Sequence, residues 1–381
     1  MRRTALVNGR ILSGPGLVSG RTLLIADAAI EALVDPVDPR CRDAFVEDLG
    51  GQILLPGFID VQVNGGGGVL FNDDPTPQAI RAIGAAHRRF GTSGFLPTLI
   101  SDDPDTIATA IGAVQAAIDA GTPGVLGIHI EGPFLNQARR GVHDPKHLRL
   151  LDASFISRLT RLRGGRTVLT LAPEITTPQM IAELTAGGVL VSAGHSNASY
   201  AETTAAIAHG LRGFTHLFNA MAPFAPREPG IVGAALYDPD TWCGIIVDGH
   251  HVDPVMLKLA LRCKRHERFM LVTDAMPAVG FEAPSFVLQG RTIRVIDGVC
   301  RDEHGTLAGT ALDMSSAVRN AVDLLGLDLA EAARMASEYP AEFLGLGREI
   351  GRIAPGYRAN LALVDERVRV QRTWIDGRTA G

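Results

Sequence analysis

Four short segments of this chain end an apolar run in residues able to hold a cation or move a proton. They read His129-Ile130-Glu131-Gly132-Pro133, Ala193-Gly194-His195-Ser196-Asn197, Phe214-Thr215-His216-Leu217-Phe218-Asn219 and Leu271-Val272-Thr273-Asp274-Ala275. Singly, each polar residue has an ordinary use. A histidine at a strand end is commonly a hydrogen-bonded structural group, and an aspartate opening a loop is commonly a cap or turn residue. Together, Glu131, His195 and His216 make the two-imidazole, one-carboxylate set that binds a catalytic divalent ion and leaves a position open for water. Asp274, on a fourth segment, is then the carboxylate to serve as general base and later as general acid. The chemistry implied is metal-assisted hydrolysis. His129 shares the period-two face of Glu131 one layer deeper, which suits a supporting or packing role rather than ligation.

For these segments to meet, each must leave its strand at the same end of one sheet. Runs rich in Val, Ile and Leu recur at 53–63, 94–100, 125–130, 167–172, 189–193, 213–217, 243–247 and 269–273. Most are too continuous for half-exposed strands and suit strands buried on both faces. Helical patterns fill the gaps, at 77–90, 105–119, 154–162, 178–186, 199–209 and 254–265. This alternation predicts an α/β fold of the (β/α)8 TIM-type barrel, whose chemistry lies at the C-terminal ends of the strands. An open doubly wound sheet is the competing architecture, and the lack of a G-x-G-x-x-G opening any helix weighs against it. The barrel is expected over 53–349, with a hairpin inserted near 285–306. Segments 1–52 and 350–381 show strand-and-turn patterns, with Asn8-Gly9, Ser13-Gly14 and Asp376-Gly377 as turns. They predict a small β-sandwich domain built from both chain termini.

Composition bounds the function. A chain of 381 residues fits one large domain or two smaller ones, and 46% hydrophobic with 20% charged residues excludes wholesale disorder. A formal net charge of −5 leaves no basic footprint for nucleic acid or an anionic membrane surface. Apolar stretches are interrupted well before the ~18 residues of a membrane span. Cys41, Cys243, Cys263 and Cys300 lie far apart with no C-x-x-C pair, which suits reduced thiols in the cytoplasm. The run Gly65-Gly66-Gly67-Gly68 lacks the G-K-[ST] ending of a phosphate loop and is expected as a loop at the barrel mouth.

A longer series of motifs carries a resemblance. These are P-G-F-I-D-V-Q-V-N-G at 56–65, H-I-E-G-P-F-L-N at 129–136, G-V-H at 141–143, G-H-S at 194–196, T-H-L-F-N-A-M at 215–221, R-E-P-G at 227–230, D-G-H-H-V at 248–252, L-V-T-D-A-M at 271–276 and L-A-G-T at 307–310. In this order and spacing the chain resembles the N-acetylglucosamine-6-phosphate deacetylases of the amidohydrolase superfamily over most of its length. The resemblance implies hydrolysis of N-acetyl-D-glucosamine 6-phosphate to D-glucosamine 6-phosphate and acetate. It implies a divalent metal, zinc first, with iron(II) or another first-row ion as alternatives. Glu131, His195 and His216 match the metal ligands, Asp274 the catalytic carboxylate, and His143 the contact to the scissile amide. Val142, Asn219, Ala220, Leu307, Ala308 and Gly309 match substrate-lining positions. Arg227 and His251 match a phosphate-binding pair that reaches in from the neighbouring subunit of a homodimer.

Many members of the superfamily carry His-x-His at the end of strand one and bind two metals. Here Gln62-Val63-Asn64 stands there. Neutral amides are poor ligands, so one ion per subunit is expected. Two enzymatic alternatives remain: the same chemistry on another N-acetylhexosamine phosphate, such as N-acetylgalactosamine 6-phosphate, and a cyclic-amide hydrolase of the same superfamily. The second is disfavoured because Leu171-Ala172-Pro173-Glu174, at the end of strand four, lacks a metal-bridging lysine. A binding protein on an inactive barrel is disfavoured by the complete ligand set.

Overall fold

A computed structural model describes residues 3–379. Eight parallel strands follow one another around the sheet in sequence order: Phe58–Val63, Thr92–Ile100, Gly127–Glu131, Arg166–Leu171, Val189–Ala193, Gly213–Phe214, Trp242–Ile245 and Phe269–Leu271. Every residue of the first three is buried, as strands covered on both faces require. The eighth strand returns to the first. Val63 bridges Ala275 in parallel, the Asn64 N–H donates to the Ala275 carbonyl at 2.9 Å, and the Asp274 N–H donates to the Gln62 carbonyl at 3.0 Å. The sheet is therefore a barrel and not an open doubly wound sheet.

Helix starts follow from local chemistry. The helices Pro77–Arg88, Pro178–Ala186 and Pro254–Cys263 each begin on proline behind a Thr or Asp whose side chain accepts a first-turn N–H. Strands six and eight are shorter than their apolar runs. The chain turns left-handed at His216 (φ 34°) and Asp274 (φ 51°), which ends the ladder while the sequence stays apolar.

The 53–63 run is not one strand. Ile53–Pro56 pairs with Leu361–Val364 and Arg10–Ser13 in a six-stranded sheet, and the barrel begins only at Phe58. Both halves are apolar because both are buried, so only Pro56-Gly57 marks the break. A side chain at Gly57 would meet Ser93 Oγ at 2.3 Å, which leaves room only for glycine at this crossing. The six-stranded sheet also holds Gly16–Val18, Val370–Ile375 and Arg378–Thr379. It faces a four-stranded sheet of Ala29–Val34, Thr22–Ala26, Arg3–Val7 and Phe45–Asp48. Leu6, Leu23, Ile25, Ile30, Leu54, Leu361, Leu363 and Trp374 fill the space between them.

The segment expected as a hairpin forms three strands, Ser285–Leu288, Arg291–Ile296 and Val299–Arg301, and Leu307–Thr310 extends them into a four-stranded antiparallel sheet. Thr310 also bridges Ala275, so this sheet is attached at the end of the eighth barrel strand. Among the described residues no helix is long and apolar enough to cross a membrane.

Candidate functional site

Strands three, five and six bring Glu131, His195 and His216 together at one mouth of the barrel. Glu131 Oε1 lies 3.1 Å from His195 Nε2 and 2.9 Å from His216 Nε2, and the two imidazole nitrogens are 3.0 Å apart. First-row ions with ligands at 2.0–2.2 Å and tetrahedral angles hold neighbouring donor atoms about 3.4 Å apart, so this triangle closes around such an ion with slight expansion. The His195 Nδ1–H donates to the Arg139 carbonyl at 2.9 Å, which fixes the tautomer and leaves the Nε2 lone pair facing the triangle. Burial works against the Glu131 charge, but the adjacent imidazoles outweigh it and hold the carboxyl well below its usual range. The residues present fit a divalent cation.

Gln62 and Asn64, the expected poor ligands, do something definite. Gln62 Nε2 donates to both Glu131 oxygens at 3.3 Å and to Asp274 Oδ1 at 3.1 Å, and Asn64 Nδ2 donates to Asp274 Oδ1 at 2.6 Å. The amides thus stand where a second pair of imidazoles would and present hydrogens to the two carboxylates. Burial, and then the Glu131 charge, push the Asp274 carboxyl from 3.8 up to about 6.

His143 joins the cluster, its ring centroid 4.6 Å from that of His195. Its Nδ1 accepts the Ser101 N–H at 3.3 Å and lies 2.7 Å from Ser101 Oγ, so the ring hydrogen is carried on Nε2. Burial, helped by His195, pushes this imidazole down to about 3, which keeps it neutral across the physiological range. Ser101 was not foreseen, although it follows directly on strand two, where barrel chemistry is expected. His129 stays out of the triangle. Its Nε2 lies 2.8 Å from Thr170 Oγ1 and its Nδ1 3.2 Å from Thr98 Oγ1, a supporting contact across strands two to four.

The backbone is strained here. His195 (φ 50°), His216 (φ 34°), Ala220 (φ 51°) and Asp274 (φ 51°) all lie in the left-handed region. Each such residue costs about 1–3 kcal/mol and persists only where the surroundings over-determine it, a pattern concentrated at functional sites.

A cleft of about 480 Å³ opens above the triangle. Val142, His143, Asn219, Ala220, His251, Leu307 and Gly309 line it together with Asp274, as do Arg139, Met276 and Thr306, which were not foreseen. One expected lining residue, Ala308, is absent from it. Ala308 is wholly buried and packs with Cys300, Ile293 and Met276, because alternation along its strand turns it away from Leu307 and Gly309. His251 lines this chain's own cleft, with Nδ1 2.6 Å from Asp248 Oδ2. Arg227 lies outside the cleft, exposed on the loop before the helix Gly230–Tyr237.

A barrel with a two-imidazole, one-carboxylate triangle and a raised carboxyl at its mouth is the site of a hydrolase. The model of the amidohydrolase family matches residues 53–380, and the chain belongs to that family. It is similar to the N-acetylgalactosamine-6-phosphate deacetylase of Shewanella sp. (strain ANA-3), 46% identical over 327 residues, covering 85% of this chain and 82% of that one. It is 34% identical over 377 residues to the N-acetylglucosamine-6-phosphate deacetylase of Haemophilus influenzae, covering 98% of each. Among solved structures, the N-acetylglucosamine-6-phosphate deacetylase from Pasteurella multocida matches with a TM-score of 0.95 over 100% of both chains at 36% identity.

Proposed function

We propose that this enzyme removes acetate from N-acetyl-D-glucosamine 6-phosphate, giving D-glucosamine 6-phosphate. The observation that carries this is the convergence of Glu131, His195 and His216 within 3.1 Å of one another, beside a half-buried Asp274. One divalent ion, zinc in the first instance, would be held by those three side chains. When bound, such an ion supplies Lewis acidity, lowering the pKa of the water it holds and polarising the amide carbonyl.

The chain's own groups do the rest. Asp274 accepts the proton of the attacking water and hands it to the departing nitrogen, acting first as general base and then as general acid. His143 presents a neutral N–H to the carbonyl oxygen as charge builds there. Gln62 and Asn64 hold the two carboxylates in register and leave no second pair of good ligands, which supports one ion per subunit. His251 receives the phosphate within the cleft, and Arg227 of a second copy completes its grip; a guanidinium fork suits that group.

The dimer reading is supported by the surface beside Arg227. Phe224, Tyr237 and Leu259 are 62%, 80% and 46% exposed around an apolar cleft of about 920 Å³, a patch that a second copy would cover. Cys41, Cys243, Cys263 and Cys300 are all free thiols, which supports a cytoplasmic setting.

A second substrate has a specific observation behind it: the relative at 46% identity acts on the galacto epimer by its name. The test is acetate release from zinc-loaded protein, with kcat/KM measured for both epimers. Turnover of the gluco substrate with the higher kcat/KM is expected. A preference for the galacto epimer replaces the substrate but keeps the chemistry, and no acetate from either overturns the reading. A metal content near two ions per subunit in active enzyme would refute the single-ion centre.

A further inference from the structure

Glu174 follows strand four and has no part in the triangle or the cleft. Its carboxylate nevertheless gathers three loops. Oε1 accepts the Asn136 Nδ2–H at 2.9 Å and the Asn197 backbone N–H at 2.6 Å, and Oε2 accepts the Ser196 hydroxyl at 2.7 Å. Ser196 and Asn197 are the two residues after His195, whose left-handed backbone must be held from outside. The chain of contacts continues. Asn197 Oδ1 accepts the Arg139 Nε–H at 2.5 Å, and the Arg139 carbonyl accepts the His195 Nδ1–H at 2.9 Å. Asn136 closes a second path, its N–H donating to the His195 carbonyl at 3.0 Å.

We infer that Glu174 is the positioning residue for His195. It pins the backbone that follows the imidazole and, through Asn197 and Arg139, the carbonyl that sets its tautomer and ring direction. One carboxylate thus ties together the loops after strands three, four and five. Ser196 extends the tie to the loop after strand six, its N–H donating to the Ala220 carbonyl at 3.1 Å. The inference rests on the metal-centre reading above, and its consequence is metal affinity. Outer partners of this kind are worth about 10–100-fold in metal binding.

The test is zinc affinity of Glu174→Ala by competition with a chromophoric chelator, alongside thermal melts and the zinc dependence of acetate release. The expected result is a dissociation constant raised about 10–100-fold in folded protein, with activity lost at limiting zinc and recovered at high zinc. An unchanged dissociation constant in a folded variant overturns the inference, whatever happens to the melting temperature, since Glu174 would then be a stabiliser only. Should that variant not fold, Asn197→Ala decides. Asn197 is exposed, and its truncation removes only the link to Arg139. A smaller weakening of zinc binding supports the network, and none overturns it. Zinc binding needs no substrate, so a parent protein that binds zinc without releasing acetate refutes the proposed function and leaves this inference standing.

Discussion

Replacing Asp274 by asparagine should stabilise the metal-free protein, and the gain should depend on pH. The carboxyl is half-buried beside Glu131, and desolvation first, then that neighbouring charge, raise it from 3.8 to about 6. Unfolding returns it to its ordinary value, so the unfolded chain releases this proton more readily than the folded one. Its stabilising contribution is therefore complete below about pH 4 and is lost as pH rises through about 6. Above about pH 7 the ionised carboxylate costs the folded state about 3 kcal/mol relative to a neutral group of the same shape. Asparagine is that group. Its side-chain oxygen can still accept from Asn64 Nδ2 and Gln62 Nε2, which lie 2.6 and 3.1 Å from Asp274 Oδ1. Denaturant melts of chelator-treated parent and Asp274→Asn across pH 4 to 8 measure the difference. The variant should be the more stable by about 2–3 kcal/mol at the upper end, with the gap closing toward pH 4. A less stable variant at the upper end, or a gap that does not move with pH, refutes the assignment of the raised pKa to this carboxyl.

The same substitution in zinc-loaded enzyme should lower kcat by about 10²–10⁴-fold while the zinc content stays at one per subunit, read by elemental analysis alongside acetate release. His143→Ala should lower kcat by about 10²–10³-fold, as loss of one oxyanion donor does elsewhere; a loss under about tenfold would remove His143 from that role. Arg227→Ala should lower kcat/KM for the 6-phosphorylated sugar by about 10–100-fold, the worth of a charge-assisted contact, and leave the plain N-acetylated sugar almost unaffected. An unchanged ratio between the two substrates would show that Arg227 does not meet the phosphate.

The barrel was legible because its strands announce themselves twice, by continuous apolar character and by the polar residues that end them. Glu131, His195, His216 and Asp274 were readable for that reason, each standing at the end of such a run. Helix starts at Pro77, Pro178 and Pro254 were readable from proline behind a capping residue. What escaped was information that exists only across the barrel. Nothing near Ser101 says that its hydroxyl meets His143, 42 residues away. Nothing near Glu174 says that Asn136 and Asn197 will converge on it. The division of 53–63 between two sheets was hidden because burial in the sandwich and burial in the barrel select the same side chains. The direction of Ala308 was hidden by reading Leu307 to Gly309 as a block where a strand alternates.

The joint between the first and last strands carries more than the barrel's closure. Asp60 lies under it, wholly buried, accepting the Gln62 N–H at 3.1 Å from one side and the Thr273 hydroxyl from the other. Asp274 is the next residue after Thr273, and its own N–H completes the joint. Closing the ring and installing the base are thus a single structural event. The groups that would hold an ion stand at the ends of strands three, five and six, away from this joint, whereas the carboxylate that handles the proton is part of it.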